Sequence, residues 1–258
     1  MYIPRLIDLH ESRPGLDVLV YTVPLKQGLA ARTRFAATLS EAELARANRF
    51  HSPRDRDRFI VAHGEMRRLL GNVSQVDAAM LSFAELPGGK PVIDQPESAR
   101  RWSFNLSHSG DFALLAVTEE APLGVDIEHK RVISQQGSIA RRFFSATEQR
   151  VYEAARKPER QEVFFSIWTR KEAVIKALGL GLSMPLDAFD VCSPDAWLGQ
   201  PAFAIEEING MSIPKHQWQL RPLDVPDGYA GAVALQSPAA IRIKHWVTGA
   251  PIPQKSVY

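Results

Sequence analysis

The stretch Gly124-Val125-Asp126-Ile127-Glu128 alternates apolar with acidic side chains. This is the pattern of a β-strand with Val125 and Ile127 on one face and Asp126 and Glu128 on the other. Two carboxylates on one strand face lie roughly 6 to 7 Å apart, twice the strand rise, and repel unless they are well hydrated or share a cation. A hard divalent ion such as Mg²⁺ suits that gap, because it takes oxygen ligands and is commonly held by one or two carboxylates plus substrate phosphates. Taken alone, the pattern also suits a half-exposed strand with a solvated polar face. The residues around it decide between the two.

The chain has 258 residues, 45% of them hydrophobic, enough for one large domain or two of ordinary size. A net charge of +2 is too weak to argue for nucleic acid. The single cysteine, Cys192, excludes an intramolecular disulfide framework and a cysteine-based zinc cluster. That fits a reducing compartment, and the cytoplasm is expected. Met1 to His10 carries Arg5 and Asp8 without the apolar run of a signal peptide, and no stretch approaches a membrane span.

Strands are expected at Leu16–Val23, Leu81–Glu85, Val92–Ile93, Trp102–Leu106 and Phe112–Thr118, and again at Ala188–Cys192, Ala202–Glu206, Gln217–Leu223, Tyr229–Leu235 and Ile241–Val247. Ser40 with Glu43, and Ser145 with Glu148, have the spacing of helix capping boxes. Ser52-Pro53 opens a helix that should end near Gly71-Asn72, and Pro158 opens another that runs to Gly179. The first two helices are rich in arginine, including Arg49, Arg54, Arg56 and Arg58. Each half therefore reads as a long helix ending in Leu-Gly followed by mostly antiparallel strands. The expectation is an α+β fold of two similar halves, with an N-terminal half over 1–120, a C-terminal half over 121–250, and a tail at 251–258. The acidic strand would then lie in the cleft between the halves.

The second long helix contains Trp168-Thr-Arg-Lys171-Glu172-Ala-Val-Ile-Lys176. Helical spacing puts Phe164, Ile167, Trp168, Val174, Ile175 and Leu178 on a buried arc, with Glu172 and Lys176 on its flank one turn apart. An isolated pair of that kind is usually a surface pair worth about 0.2 to 0.5 kcal/mol. Lys171 falls inside the apolar arc, where it needs a path to water or an anionic partner. Trp102-Ser-Phe-Asn105-Leu-Ser107-His108-Ser109-Gly110 reads as a strand entering a polar turn, which could hold phosphate on its N–H groups or simply cap itself. Gly88-Gly89-Lys90-Pro91 reads as a hairpin turn with a solvated lysine, and it is not a P-loop.

Together these motifs resemble the phosphopantetheinyl transferases of the Sfp type. The residues carrying the resemblance are Gly89-Lys90-Pro91, Phe104-Asn-Leu-Ser-His-Ser109, Gly124-Val-Asp-Ile-Glu128, Arg142-Phe-Phe-Ser145 with Glu148, and Trp168, Lys171, Glu172, Ala173 and Lys176, in the family's order from about Glu43 to Leu235. The resemblance implies a pseudo-dimer of two α+β halves with the active site between them. It implies Asp126, Glu128 and Glu172 as ligands of Mg²⁺, and Lys90, Ser107, His108, Lys171 and Lys176 as contacts to the phosphates of coenzyme A. Arg58 corresponds to a basic residue near the 3′-phosphate. Pro53 departs from a lysine found in relatives, which leaves open whether Arg49, Arg54 or Arg56 takes its part.

The implied reaction is transfer of 4′-phosphopantetheine from coenzyme A to a serine of an acyl or peptidyl carrier protein, as in fatty-acid, polyketide and nonribosomal-peptide synthesis. Glu172, Lys176 and His108 are the expected catalytic residues, with Glu172 as base, directly or through a metal-bound water. Arg141, Arg142, Phe143 and Phe144, just before the Ser145 cap, suit an acidic carrier, although burial of at least one of the phenylalanines is an even alternative. A monomer should suffice, and neither nucleic acid nor a membrane is expected as a partner. The rival classes are a metal-dependent phosphodiesterase or nuclease and a non-catalytic coenzyme A binder. The nuclease reading lacks a fourth carboxylate at two-metal spacing and an aromatic-interleaved basic sheet.

Overall fold

The computed structural model describes residues 15–179, 181, 184–192, 207–208, 211–212, 218–238 and 240–249. The expected strand at Ala202–Glu206 and the segments 1–10 and 251–258 lie outside them. The chain begins with strand β1 (Leu16–Pro24), then helices α1 (Leu29–Ala36), α2 (Glu41–Ala47) and α3 (Pro53–Ser74). The hairpin β2 (Ser82–Glu85) and β3 (Pro91–Gln95) follows, then β4 (Trp102–Ser109) and β5 (Phe112–Glu119). Next come β6 (Leu123–His129) and helices α4 (Gln136–Phe143), α5 (Ala146–Ala154) and α6 (Arg160–Leu178). The described chain ends with β7 (Glu207–Ile208), β8 (Met211–Ser212), β9 (Trp218–Pro222), β10 (Tyr229–Gln236) and β11 (Ile241–Val247).

The two halves repeat one topology. One sheet contains the order β1-β5-β4 and the other has the order β6-β10-β9. In each half a long helix and a short hairpin follow the first strand. The α+β class expected from sequence is what the chain adopts. β11 is the exception to the repeat. Counted with residues 121–250 on sequence order, it pairs instead in parallel with β1, from Leu16 opposite Ile241 to Thr22 opposite Val247. This pairing crosses between the halves as sequence order divides them.

Strand periodicity distributes the apolar residues over three cores. Val18 and Val20 of β1, Leu114 and Ala116 of β5, Val125 and Ile127 of β6, and Val233 of β10 pack the two sheets face to face. The other faces of β1, β4 and β5 receive Val61, Met66, Leu69 and Leu70 of α3. The other faces of β9 and β10 receive α6, through Phe164, Ile167, Val174 and Ala177. The layers therefore run helix, sheet, sheet, helix. Because Val125 and Ile127 enter the core between the sheets, alternation turns Asp126 and Glu128 toward α6.

Gly124 lets the helix come close. A Cβ there would lie 2.0 Å from the Ala173 carbonyl oxygen and 2.4 Å from the Ala177 amide, so α6 rests directly on β6. Between Val163 and Ala177 most side chains of α6 are buried, and Trp168, Glu172 and Lys176, one turn apart, form the half-buried strip beside β6. Gly71 does not end its helix. It allows Val76 to pass, whose carbonyl oxygen would meet a Cβ at 2.6 Å, and α3 continues to a left-handed cap at Gln75. The strand expected at Ala188–Cys192 does not form: a 3₁₀ turn at Leu186–Ala188 leads into bends with a single bridge residue at Asp190.

Candidate active site

α6 and β6 set three carboxylates near one ammonium. Lys176 Nζ donates to Asp126 Oδ1 at 2.6 Å and to Ser107 Oγ at 2.9 Å, and Ser107 Oγ donates to the same Asp126 oxygen at 2.8 Å. Burial raises the Asp126 carboxyl above its ordinary value against the pull of Lys176. Glu128 is raised by burial and then by the charge of Asp126. Glu172 is raised by burial, by Asp126 and by Glu128, with Lys176 opposing. Mutual repulsion among three partly desolvated carboxylates is the electrostatic mark of a site built for added positive charge.

The residues fit a hard divalent cation in chemistry and in one structural detail. All three donors are carboxylate oxygens, and Asp126 Oδ2 is buried without a hydrogen-bond partner. Among the described residues no three His, Cys, Asp or Glu side chains stand close enough to share an ion as they are arranged here. Lys176 supplies the positive charge on Asp126 instead.

β4 continues as regular strand to Ser109, paired residue for residue with β5 as far as Phe112. The polar turn expected from Ser107 onward is therefore strand, and its N–H groups are not a nest. Alternation along β4 turns Asn105, Ser107 and Ser109 toward β6 and His108 toward the α3 side. The imidazole of His108 is held below its ordinary value by shielding from solvent, then by its neighbour His63 and the charges of Lys176 and Arg58. Its side chain nevertheless keeps an exposed surface.

Beyond His108 lies a cationic cluster. Asp111 accepts from Lys26 at 2.7 Å, from Arg54 at 3.0 Å and from Arg58, and these partners hold its carboxyl well below the usual carboxylate range. A cleft of about 540 Å³ opens here between Lys26, Gln27, Arg32, Arg54 and Arg58. Of the three candidates left open near Pro53, Arg54 is the one lining it. Lys26, Arg32, His63 and Asp111 were not singled out from sequence. Each is an unremarkable polar residue whose position depends on contacts between distant segments.

Two expected phosphate contacts lie elsewhere. Lys171 is fully buried against Glu148 at 2.7 Å and donates to the carbonyls of Leu186 and Phe189, both at 2.6 Å. All of its donors are used inside the C-terminal core, which corrects its assignment to the phosphates. Glu148 is also the capping-box residue of α5 and accepts from the Val191 amide. Lys90 is neither solvated nor free. It spans the halves, donating to the carbonyls of Leu123 at 2.7 Å and Ala177 at 3.1 Å, and burial brings its ammonium down to about 8. At the expected carrier surface Phe144 is a core residue with no exposure, Phe143 lies edge-on to Trp168 beneath Arg142, and Arg141 is exposed.

Carboxylates and an ammonium on one side of β4, with a cationic cleft beyond it, suit an anionic, phosphorylated ligand. Residues 122–234 match the 4′-phosphopantetheinyl transferase superfamily, and residues 29–120 match the N-terminal region of a 4′-phosphopantetheinyl transferase. The chain is 38% identical to the 4′-phosphopantetheinyl transferase HetI of Nostoc sp. over 65% of its own length and 70% of that protein. It is 36% identical to the 4′-phosphopantetheinyl transferase Sfp of Bacillus subtilis, over 61% of this chain and 68% of that one. A solved holo-[acyl-carrier-protein] synthase of Thermotoga maritima aligns with 45% of this chain and 62% of its own at 20% identity and a TM-score of 0.35. The chain belongs to the 4′-phosphopantetheinyl transferases, of the Sfp type.

Proposed function

We infer that this enzyme transfers 4′-phosphopantetheine from coenzyme A to the serine of a carrier protein and releases adenosine 3′,5′-bisphosphate. The observation that carries the reading is the Lys176–Ser107–Asp126 triangle, with Glu128 and Glu172 beside it and the cationic cleft across β4. The serine hydroxyl forms a P–O bond to the β-phosphorus of coenzyme A. The bond to the bridging oxygen breaks, and the nucleotide leaves with the electron pair.

Our assignment for the group accepting the serine proton is Glu172, whose raised carboxyl value brings it closer to working pH. Lys176, released from Asp126, would neutralise charge growing on the departing phosphate, and Ser107 would orient it. Asp126, Glu128 and Glu172 would hold Mg²⁺, which when bound supplies Lewis-acid stabilisation of the pyrophosphate. Arg58, Arg54 and Lys26 would take the 3′-phosphate as point charges and forks. His108 would face the phosphates as a polar neighbour rather than a fixed cation. The carrier would approach past Glu128, where a cleft of about 410 Å³ is lined by Arg131, Ile133, Ile139, Phe164 and Trp168.

Incubation with coenzyme A, MgCl₂ and an apo carrier protein tests this. Modified carrier and adenosine 3′,5′-bisphosphate should appear in equal amounts. Nucleotide release that proceeds equally without carrier would make the protein a hydrolase. The comparisons lend no support to a nuclease or to a non-catalytic binder.

A further inference from the structure

β6 carries two of the acidic residues on an edge. β10 pairs with one side of it, and what meets the other side is the inner face of β4. Asn105 Oδ1 accepts the Val125 amide at 2.8 Å, and Ser107 Oγ donates to Asp126 at 2.8 Å. Ser109 Oγ donates to Glu128 Oε2 at 2.7 Å and accepts the His129 amide at 3.1 Å. From Asn105 onward every second side chain of β4 thus takes the place of the missing neighbouring strand, and the last two rungs reach the two acidic residues themselves.

The acidic residues are not equally secured. Asp126 is buried and held by both Ser107 and Lys176. Glu128 has one more rotatable bond and stands half-buried at the open end of the strand, and among the described residues Ser109 is its hydrogen-bond partner. A flexible carboxylate loses conformational freedom on joining an ion unless it is already fixed. We propose that Ser109 is a positioning residue that fixes Glu128 on the side of β6 facing Asp126 and Glu172, and so sets the affinity of the site for a divalent cation. This rests on the metal-binding reading given above. In ligand sets of this kind the outer hydrogen-bond partners orient the ligand, and their removal typically weakens metal binding 10- to 100-fold.

Manganese binding without coenzyme A or carrier, followed by the paramagnetic resonance of free Mn²⁺, tests the proposal on the whole protein. Ser109→Ala should weaken Mn²⁺ binding by about tenfold or more. Ser109→Thr, which keeps the hydroxyl, should recover most of it. The thermal midpoint of Ser109→Ala should match the wild type, because the His129 amide lies where water can replace the serine. Asp126→Asn is the reference for loss of the site. If Ser109→Ala binds Mn²⁺ as tightly as the wild type while Asp126→Asn does not, Ser109 has no positioning role and the metal reading survives. A lowered thermal midpoint with unchanged affinity would make Ser109 structural and equally overturn the proposal. If wild type and Asp126→Asn bind alike, the metal reading fails and takes this proposal with it.

Discussion

Lys171 and Lys176 lie on one helix and have opposite surroundings. Lys171 has no exposure and is matched by Glu148 and two carbonyls, whereas Lys176 is 28% exposed and reaches across to β6. Removing one member of a buried pair leaves an uncompensated charge, at a cost of about 3 to 5 kcal/mol. Lys171→Ala should therefore lower the urea midpoint sharply while the folded fraction keeps the wild-type KM for coenzyme A. A raised KM in folded protein would return Lys171 to the phosphates. Lys176→Ala should lower kcat more than it raises the KM for coenzyme A, since the charge it answers grows in the transition state. Unchanged kcat with a raised KM would reduce Lys176 to ground-state binding. At this scale the sequence was legible where one element's periodicity sufficed, as for Asp126 and Glu128 on one strand face and Glu172 and Lys176 on one helix flank. For Lys171 it called for a path to water or an anionic partner but did not identify Glu148, because that partner lies on another helix and was already accounted for as a cap.

Capping chemistry made the helices readable. The Ser40–Glu43 and Ser145–Glu148 boxes both form, whereas α1 and α4, which begin without a side-chain cap, were not anticipated. Glu43 does more than cap α2. It accepts from Arg67 at 2.7 Å and faces His63 at 3.3 Å, tying α2 to α3 beside the cationic cluster. Burial pushes its carboxyl up, but hydrogen bonds from His63 and Ser40 and the charge of Arg67 outweigh this and bring it down to about 2, against an ordinary 4.5. A folded value below the unfolded one gives stability that is fully present above pH 4.5 and lost as pH falls toward 2. The stability difference between wild type and Glu43→Gln, measured by urea unfolding, should therefore shrink between pH 6 and pH 3. A constant difference would mean that the carboxylate charge is not what joins the helices. β4 was read three residues short because Ser107, His108 and Ser109 have turn-forming composition, and only pairing with β5 shows them as strand.

Over the whole molecule, the repeat explains why one chain carries one such site. His129 lies opposite Tyr229 and Pro24 lies opposite Phe112, so β6 and β1 correspond through their partners in the repeat. Tyr21 and Val23 then stand where Asp126 and Glu128 stand in the second half. The first half lacks the acidic pair and contributes cations instead, and Lys90 fastens the two halves together across β6 and α6. This division of labour was only faintly visible in sequence, as an echo between Glu65–Gly71 and Glu172–Gly179, because the repeat is kept in topology more than in residues. The carrier should meet the C-terminal half, where Val132 is 91% exposed and Arg141 is free of acidic partners among the described residues. Arg141→Glu should raise the KM for an acidic carrier and leave that for coenzyme A unchanged, with a penalty that shrinks with salt, since exposed charges are screened within about 10 Å at 0.1 M. A penalty independent of salt would move the docking surface elsewhere. The central claim is that carboxylates of one half and cations of the other act together on coenzyme A to modify a carrier serine. Its most direct test is the intact mass of an apo carrier after incubation with coenzyme A, MgCl₂ and either wild type, Asp126→Asn or Arg58→Ala. Wild type should add one phosphopantetheine, Asp126→Asn almost none at any coenzyme A concentration, and Arg58→Ala should recover as coenzyme A is raised. An unmodified carrier with wild type, or full modification by Asp126→Asn, would contradict the account.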